Sequence, residues 1–189
     1  MKTSYRKLST DVDRLIANSP RGNAMFGLTE DFFEIYRKKG LSPEDLASKL
    51  EASKAALNSL PSMTNQPQKI ADTILFMDMS KPVDLVLLKK GELFHQWTNT
   101  RGRVGNFVSQ IKTTPGEVGI GDWAKNPATS RVELQKSQAV YLTQDTLAVR
   151  SQAGPGFDNR IADIQKFNGT GEQLVLGGRN LKRVFPLPE

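Results

Sequence analysis

The chain contains no cysteine. That absence removes a disulfide framework, a thiolate metal site and a thiol nucleophile together. It leaves the compartment open, because cysteine-free chains suit the cytosol and secretion alike. Long apolar runs are missing too. None approaches the roughly 20 residues that cross a bilayer, so no membrane insertion is expected. The polar start "MKTSYRKLSTDVDR" lacks the apolar centre of a signal peptide. There is one histidine, His95, and no metal site is expected.

What remains is 189 residues with 38% hydrophobic content, enough for one sizeable core or a core with a small appendage. The net charge is +6 and unevenly placed. Residues 1–80 carry 11 basic and 10 acidic side chains, and residues 81–189 carry 15 and 10. A basic excess attracts phosphates of any kind, so it names neither nucleic acid nor a dinucleotide by itself.

The texture changes near residue 80, where helical spacing gives way to short alternating runs separated by Gly, Pro and Asn. Two regions follow: a helical cap or docking region over 1–80, and a β-rich region over 81–189. The first reads as four helices. "STDVDRLIANS" is followed by "TEDFFEIYRKKG", where Thr29 can cap, lysines fill the last turn and Gly40 stops the helix. "SPEDLASKLEASKAALNSL" has Ser42 as N-cap and Pro43 at the first helical position. "QKIADTILFMDM" leads into the second region. No helix groups histidine or paired acids for chemistry.

The second region reads as eight strands, "VDLVLL", "GELFHQWT", "GNFVSQI", "SRVEL", "AVYL", "LAVRSQA", "GEQLVL" and "KRVFPL". Alternation puts Leu93, His95 and Trp97 on one face of the second of these, with Phe94 and Gln96 on the other. A lone histidine in such a strand is either a core residue bonded to backbone or a ligand-facing group. The loop after it, "TNTRGRVGN", offers Arg101 and Arg103 as guanidinium forks for a phosphate, with glycines that let backbone approach closely. "NFVS" then sets Phe107 at the start of a strand, where a ring can cradle a flat cationic ring. Near the end, "FNGTGEQLVLGG" brings Glu172 and Gln173 out of a glycine turn. That segment is either a functional edge or an ordinary glycine hairpin.

In this order the motifs resemble the ADP-ribosyltransferase superfamily, and within it bacterial polymorphic-toxin domains similar to NAD glycohydrolases of the tuberculosis-necrotizing-toxin type. The resemblance covers residues 83 to 189 and implies an α+β chain, an N-terminal helical region followed by a split β-sandwich. It implies NAD+ as substrate, with His95 holding a ribose or phosphate, Phe107 against nicotinamide, and Gln173, with Glu172 beside it, at the nicotinamide ribose. "RSQAGPGF" resembles the loop of small residues and an aromatic before the last motif and adds Phe157. His95 is expected to be partly buried at a cleft near Phe107 and Gln173. Two features depart from the pattern: the second aromatic is Phe rather than Tyr, and Val175 stands where a transferase would carry its glutamate.

Cleaving nicotinamide from ribose passes through an oxocarbenium-like state and expels a neutral leaving group, so positioning and electrostatics suffice without a catalytic dyad. The Gln-type ending favours water as acceptor, an NAD+ glycohydrolase, over an ADP-ribosyltransferase acting on a protein or RNA. A nuclease toxin is a further class, disfavoured because acid–base cleavage of a phosphodiester wants two groups poised near neutral pH. A binding module using the helical region is another. The resemblance also implies an immunity protein as partner, and a toxin secreted or delivered as part of a larger protein and acting in the target-cell cytoplasm.

Overall fold

The computed structural model describes residues 2–18, 29–98, 106–118, 123–125, 132–134, 136–154, 156–158, 165–167 and 169–184. Among them are four helices, α1 (Lys2–Asn18), α2 (Thr29–Lys38), α3 (Pro43–Asn58) and α4 (Pro67–Leu75). Eleven short strands follow: β1 (Asp84–Leu88), β2 (Leu93–Thr98), β3 (Phe107–Val108), β4 (Trp123–Lys125), β5 (Val132–Leu134), β6 (Lys136–Leu142), β7 (Thr146–Gln152), β8 (Gly156–Asp158), β9 (Gln165–Phe167), β10 (Glu172–Leu176) and β11 (Leu181–Arg183). The chain is therefore mixed α+β, with helices first and antiparallel sheets after them.

Local chemistry explains the helix ends. Ser42 has extended backbone, its Oγ accepts from Asp45 N at 3.1 Å, and Pro43 occupies the first helical position, where a missing N–H costs nothing. The helix expected over "QKIADTILFMDM" starts one residue earlier, at Pro67, and ends at Leu75. Its expected last turn is taken by the sheet instead. Met77 bridges Ala153, Asp78 N donates to Gln152 O at 2.8 Å, and Gly154 N donates to Phe76 O at 2.6 Å.

β1, β7, β10 and β3 form a four-stranded antiparallel sheet in that order, and β11, β6 and β2 form a three-stranded one. β4–β5 and β8–β9 are separate hairpins. The larger sheet is covered on both faces. Val149 and Val175 join Leu8, Val12, Phe32, Leu50, Leu57 and Met77 in a core beneath the helices. Ala148, Leu174, Leu176 and Val108 join Phe94, Val140 and Leu142 in a second core between the sheets. Burial on two faces is why "LAV" in β7 and "LVL" in β10 are unbroken apolar runs rather than alternating ones. The three layers are helices, four-stranded sheet and three-stranded sheet.

Seven of the expected strands form, the eighth, "KRVFPL", is met only at Lys182 and Arg183 of β11 with residues 185–187 outside the described ones, and three short strands, β4, β8 and β9, were not legible. Each has three residues, too few to display a period of two. The expected "GNFVSQI" strand contracts to Phe107–Val108 plus one bridge at Ser109.

Candidate functional site

The two sheets are joined by a backbone bridge. His95 of β2 and Ser109, one residue past β3, exchange backbone bonds, N to O at 2.8 Å one way and 2.9 Å the other. On the other side of β3, Phe107 stands opposite Val175 and Val108 opposite Leu174 in β10. Continuing that register puts Ser109 alongside Gln173, and Gln173 is paired with Ser151 of β7. Facing residues of antiparallel strands point the same way. His95, Ser109, Gln173 and Ser151 thus form one row across four strands, and Phe107 rises from the same face two residues from Ser109.

Gln173 is 4% exposed. Its Nε2 donates to Ser151 Oγ at 3.2 Å and lies 3.5 Å from Phe76 O. A carbonyl oxygen can only accept, so the contact with Phe76 fixes which end of the amide is nitrogen. Oε1, with no partner among the described residues, is left as the acceptor. His95 is half-buried, and its ring makes no hydrogen bond among the described residues. Phe107 is 43% exposed, a ring at the surface beside this row. Ser109 Oγ donates to Glu172 O at 3.0 Å and ties the edge of β3 to β10.

Glu172 faces the other way. Neighbouring residues in a strand alternate, and Glu172 shares the face of Leu174, which belongs to the core between the sheets. Its Oε2 lies 3.6 Å from Arg150 Nε. The sequence set it beside Gln173 as a partner in chemistry, whereas the strand separates the two side chains. His95, Phe107 and Gln173 are brought to one face. Arg101 and Arg103 lie outside the described residues, and Phe157 belongs to β8, of whose side chains nothing is described.

The surroundings of the row are built from closely apposed backbones. The segment Gln110–Val118 leaves Ser109 and crosses toward β10. Thr113 O accepts Trp97 Nε1 at 3.1 Å, and Glu117 O accepts Thr170 N at 3.0 Å and Gly171 N at 2.8 Å. Glu117 Oε2 in turn takes Thr114 N at 2.6 Å and Thr114 Oγ1 at 2.9 Å, and these bonds hold its carboxyl below the usual carboxylate range. Gly169 has φ +54°, and a Cβ there would overlap the Gly154 carbonyl. At Gly154 a Cβ would sit 2.7 Å from Met77 O. Gly154 and Gly169 are thus required by packing of main chain on main chain.

The fold has a counterpart among solved structures. The chain is similar in fold to Tse6. That protein, solved in complex with Tsi6, superposes with a TM-score of 0.53 at 18% identity, over 71% of this chain and 98% of the solved one. Since 71% of 189 residues is about 134, more than the 109 from residue 81 onward, the shared fold takes in part of the helical region. Tne2, solved in complex with Tni2, matches over 56% of this chain and 89% of its own at 15% identity, with a TM-score of 0.39. No family model matches the chain, and no curated protein sequence matches it.

Sequence reasoning missed Ser109, Ser151 and the carbonyl of Phe76. Ser109 carried a usable signal, since it lies two residues from Phe107 in a strand. Ser151 and Phe76 carried none, because only the pairing of β7 with β10 and with the end of α4 puts them next to Gln173. Among the described residues no group of three or more His, Asp or Glu could hold a metal ion, and no helix is long and apolar enough to cross a membrane.

Proposed function

We propose that the chain is an NAD+-consuming toxin domain that cleaves the bond between nicotinamide and ribose, with water as acceptor. The observation that carries this reading is convergence. His95, Phe107 and Gln173, up to 78 positions apart, rise from one face where the two sheets join. They are the three positions that the resemblance to NAD glycohydrolases of the ADP-ribosyltransferase superfamily singles out.

The chemistry asked of each residue matches its setting. Gln173 is held by its nitrogen, so its oxygen is a fixed acceptor for a ribose hydroxyl. Hydrogen bonds of that kind strengthen as an oxocarbenium-like state develops. The half-exposed Phe107 ring offers a face to nicotinamide, and stacking there favours the cationic ring of intact NAD+. His95 offers ring nitrogens that have no partner among the described residues to a ribose or phosphate oxygen. Arg101 and Arg103 are proposed as the pyrophosphate clamp and Phe157 as a further wall of the site. Water is favoured over a macromolecular acceptor because Glu172, the carboxylate available for steering a protein or RNA target, points to the opposite face and pairs with Arg150.

A partner follows from the same reading. Tse6 and Tne2 are each solved bound to a second protein, and an immunity protein that neutralises this domain is proposed here. The domain would be delivered as part of a larger toxin and act in the cytoplasm of the target cell.

Incubation with labelled NAD+, with and without cell lysate, tests the assignment. Free nicotinamide and ADP-ribose should form in buffer alone. Label on a discrete protein or RNA band, with little hydrolysis in buffer, would overturn the choice of water.

A further inference from the structure

The Phe76–Met79 segment links the helical layer to the row that contains Gln173. Toward the sheet, it bridges Ala153, bonds Gln152 and Gly154, and presents Phe76 O to the Gln173 amide. Toward the helices it is gripped at two places. Tyr36 of α2 donates its hydroxyl to Met77 O at 2.9 Å and accepts Met79 N at 3.3 Å. Lys39, just past α2, reaches Asp78 Oδ2 at 2.5 Å, while Ser80 N and Oγ both donate to Asp78 Oδ1. Tyr36 is 2% exposed, and Met77 and Met79 are fully buried. A hydroxyl that satisfies a carbonyl and an amide of one buried strand leaves that strand no second arrangement of equal energy.

We infer that Tyr36 is a positioning residue for Gln173, and that the helical layer serves to hold the Gln173 amide in one orientation. The route is short. Tyr36 fixes Met77 and Met79, the segment fixes Phe76 O and the end of β7, and these hold the nitrogen of Gln173 so that its oxygen is kept as the acceptor end of the amide. A layer with this task need not dock an acceptor, which agrees with water as the nucleophile. The kinetic arm of the test rests on the proposed cleavage of NAD+, and the spectroscopic arm does not.

Tyr36→Phe removes one oxygen and keeps the ring that packs edge-on against Phe32 at 4.9 Å. In the full chain it should speed hydrogen exchange of the Gln173 side-chain amide, followed by 15N NMR, about tenfold or more. It should lower kcat for nicotinamide release about tenfold while KM stays within about twofold, as expected when orientation rather than binding is lost. Lys39→Met loosens the same segment from its other side and should move both readouts in the same direction. Val12→Ala, which removes two methyl groups from α1 in the same core, should lower Tm at least as much and move neither. Unchanged exchange in both Tyr36→Phe and Lys39→Met would overturn the inference, as would a Val12→Ala chain that reproduces both effects. If the wild-type chain leaves NAD+ intact, the proposed function fails, and the exchange arm still decides whether Tyr36 holds Gln173.

Discussion

Gln173→Glu keeps the size and shape of the side chain and replaces the anchored N–H donor by an acceptor. The Ser151 hydroxyl can rotate and donate to the new oxygen, so that contact, now 3.2 Å, survives. Phe76 O cannot rotate. Two acceptors then face each other in a site where residue 173 is 4% exposed, with a carboxylate charge that burial disfavours. One unsatisfied contact and a poorly solvated charge together cost about 2–4 kcal/mol. For a chain of this length that is a fall in Tm of roughly 5–15 °C. Burial and the facing carbonyl raise the carboxyl above the value of about 4.3 it has when unfolded. A raised carboxyl is favoured in its protonated form, so the deficit is absent below the unfolded value, where the acid O–H can donate to Phe76 O. It grows as pH rises through the interval between the two values and is complete above the folded one. The assay is thermal or urea unfolding of wild type and variant side by side from pH 4 to pH 8, taking the difference at each pH. A variant as stable as wild type at pH 8, or a deficit that does not change with pH, would refute the orientation assigned to Gln173.

Asp78 should make the fold acid-labile. Burial pushes its carboxyl up, but the bonds from Lys39 and Ser80 outweigh it and hold the group below its usual range. Its contribution is therefore present above the unfolded value of about 3.9 and is lost as pH falls through the lower folded value. Asp78→Asn should cost about 2 kcal/mol at pH 7, less than a fully buried pair would, because Lys39 is one-third exposed. The cost should shrink toward pH 3, and a urea midpoint difference independent of pH would contradict this. Gly169→Ala should cost about 3 kcal/mol from the positive φ and the overlap with Gly154, and a midpoint within error of wild type would remove the close approach. Phe107→Ala should lower stability by only about 1 kcal/mol, since the ring is 43% exposed, while nicotinamide release falls at least about tenfold. Parallel losses would make Phe107 a packing residue.

The parts of the fold legible in sequence were those whose information is local. Ser42, Pro43 and the spacing of Leu46, Leu50 and Leu57 define α3 without reference to anything else. Alternation in "LFHQWT" assigned His95 and Phe94 to opposite faces correctly, although it could not say that Phe94, Gln96 and Thr98 would be the buried set. Strand pairing is not local. The bond from His95 to Ser109 spans 14 positions, and the approach of Phe76 to Gln173 spans 97. The opposite orientations of Glu172 and Gln173, by contrast, follow from the period of two in any strand and were available from the sequence as soon as "GEQLVL" was read as one.

The central claim is that the face shared by His95, Phe107 and Gln173 cleaves NAD+, and chromatographic measurement of nicotinamide released from NAD+ by purified wild type and Gln173→Ala tests it most directly. The wild-type chain should release nicotinamide without any added macromolecule, and Gln173→Ala, folded by its near-UV spectrum, should release essentially none. Full activity in Gln173→Ala, or none in the wild type, would contradict the account.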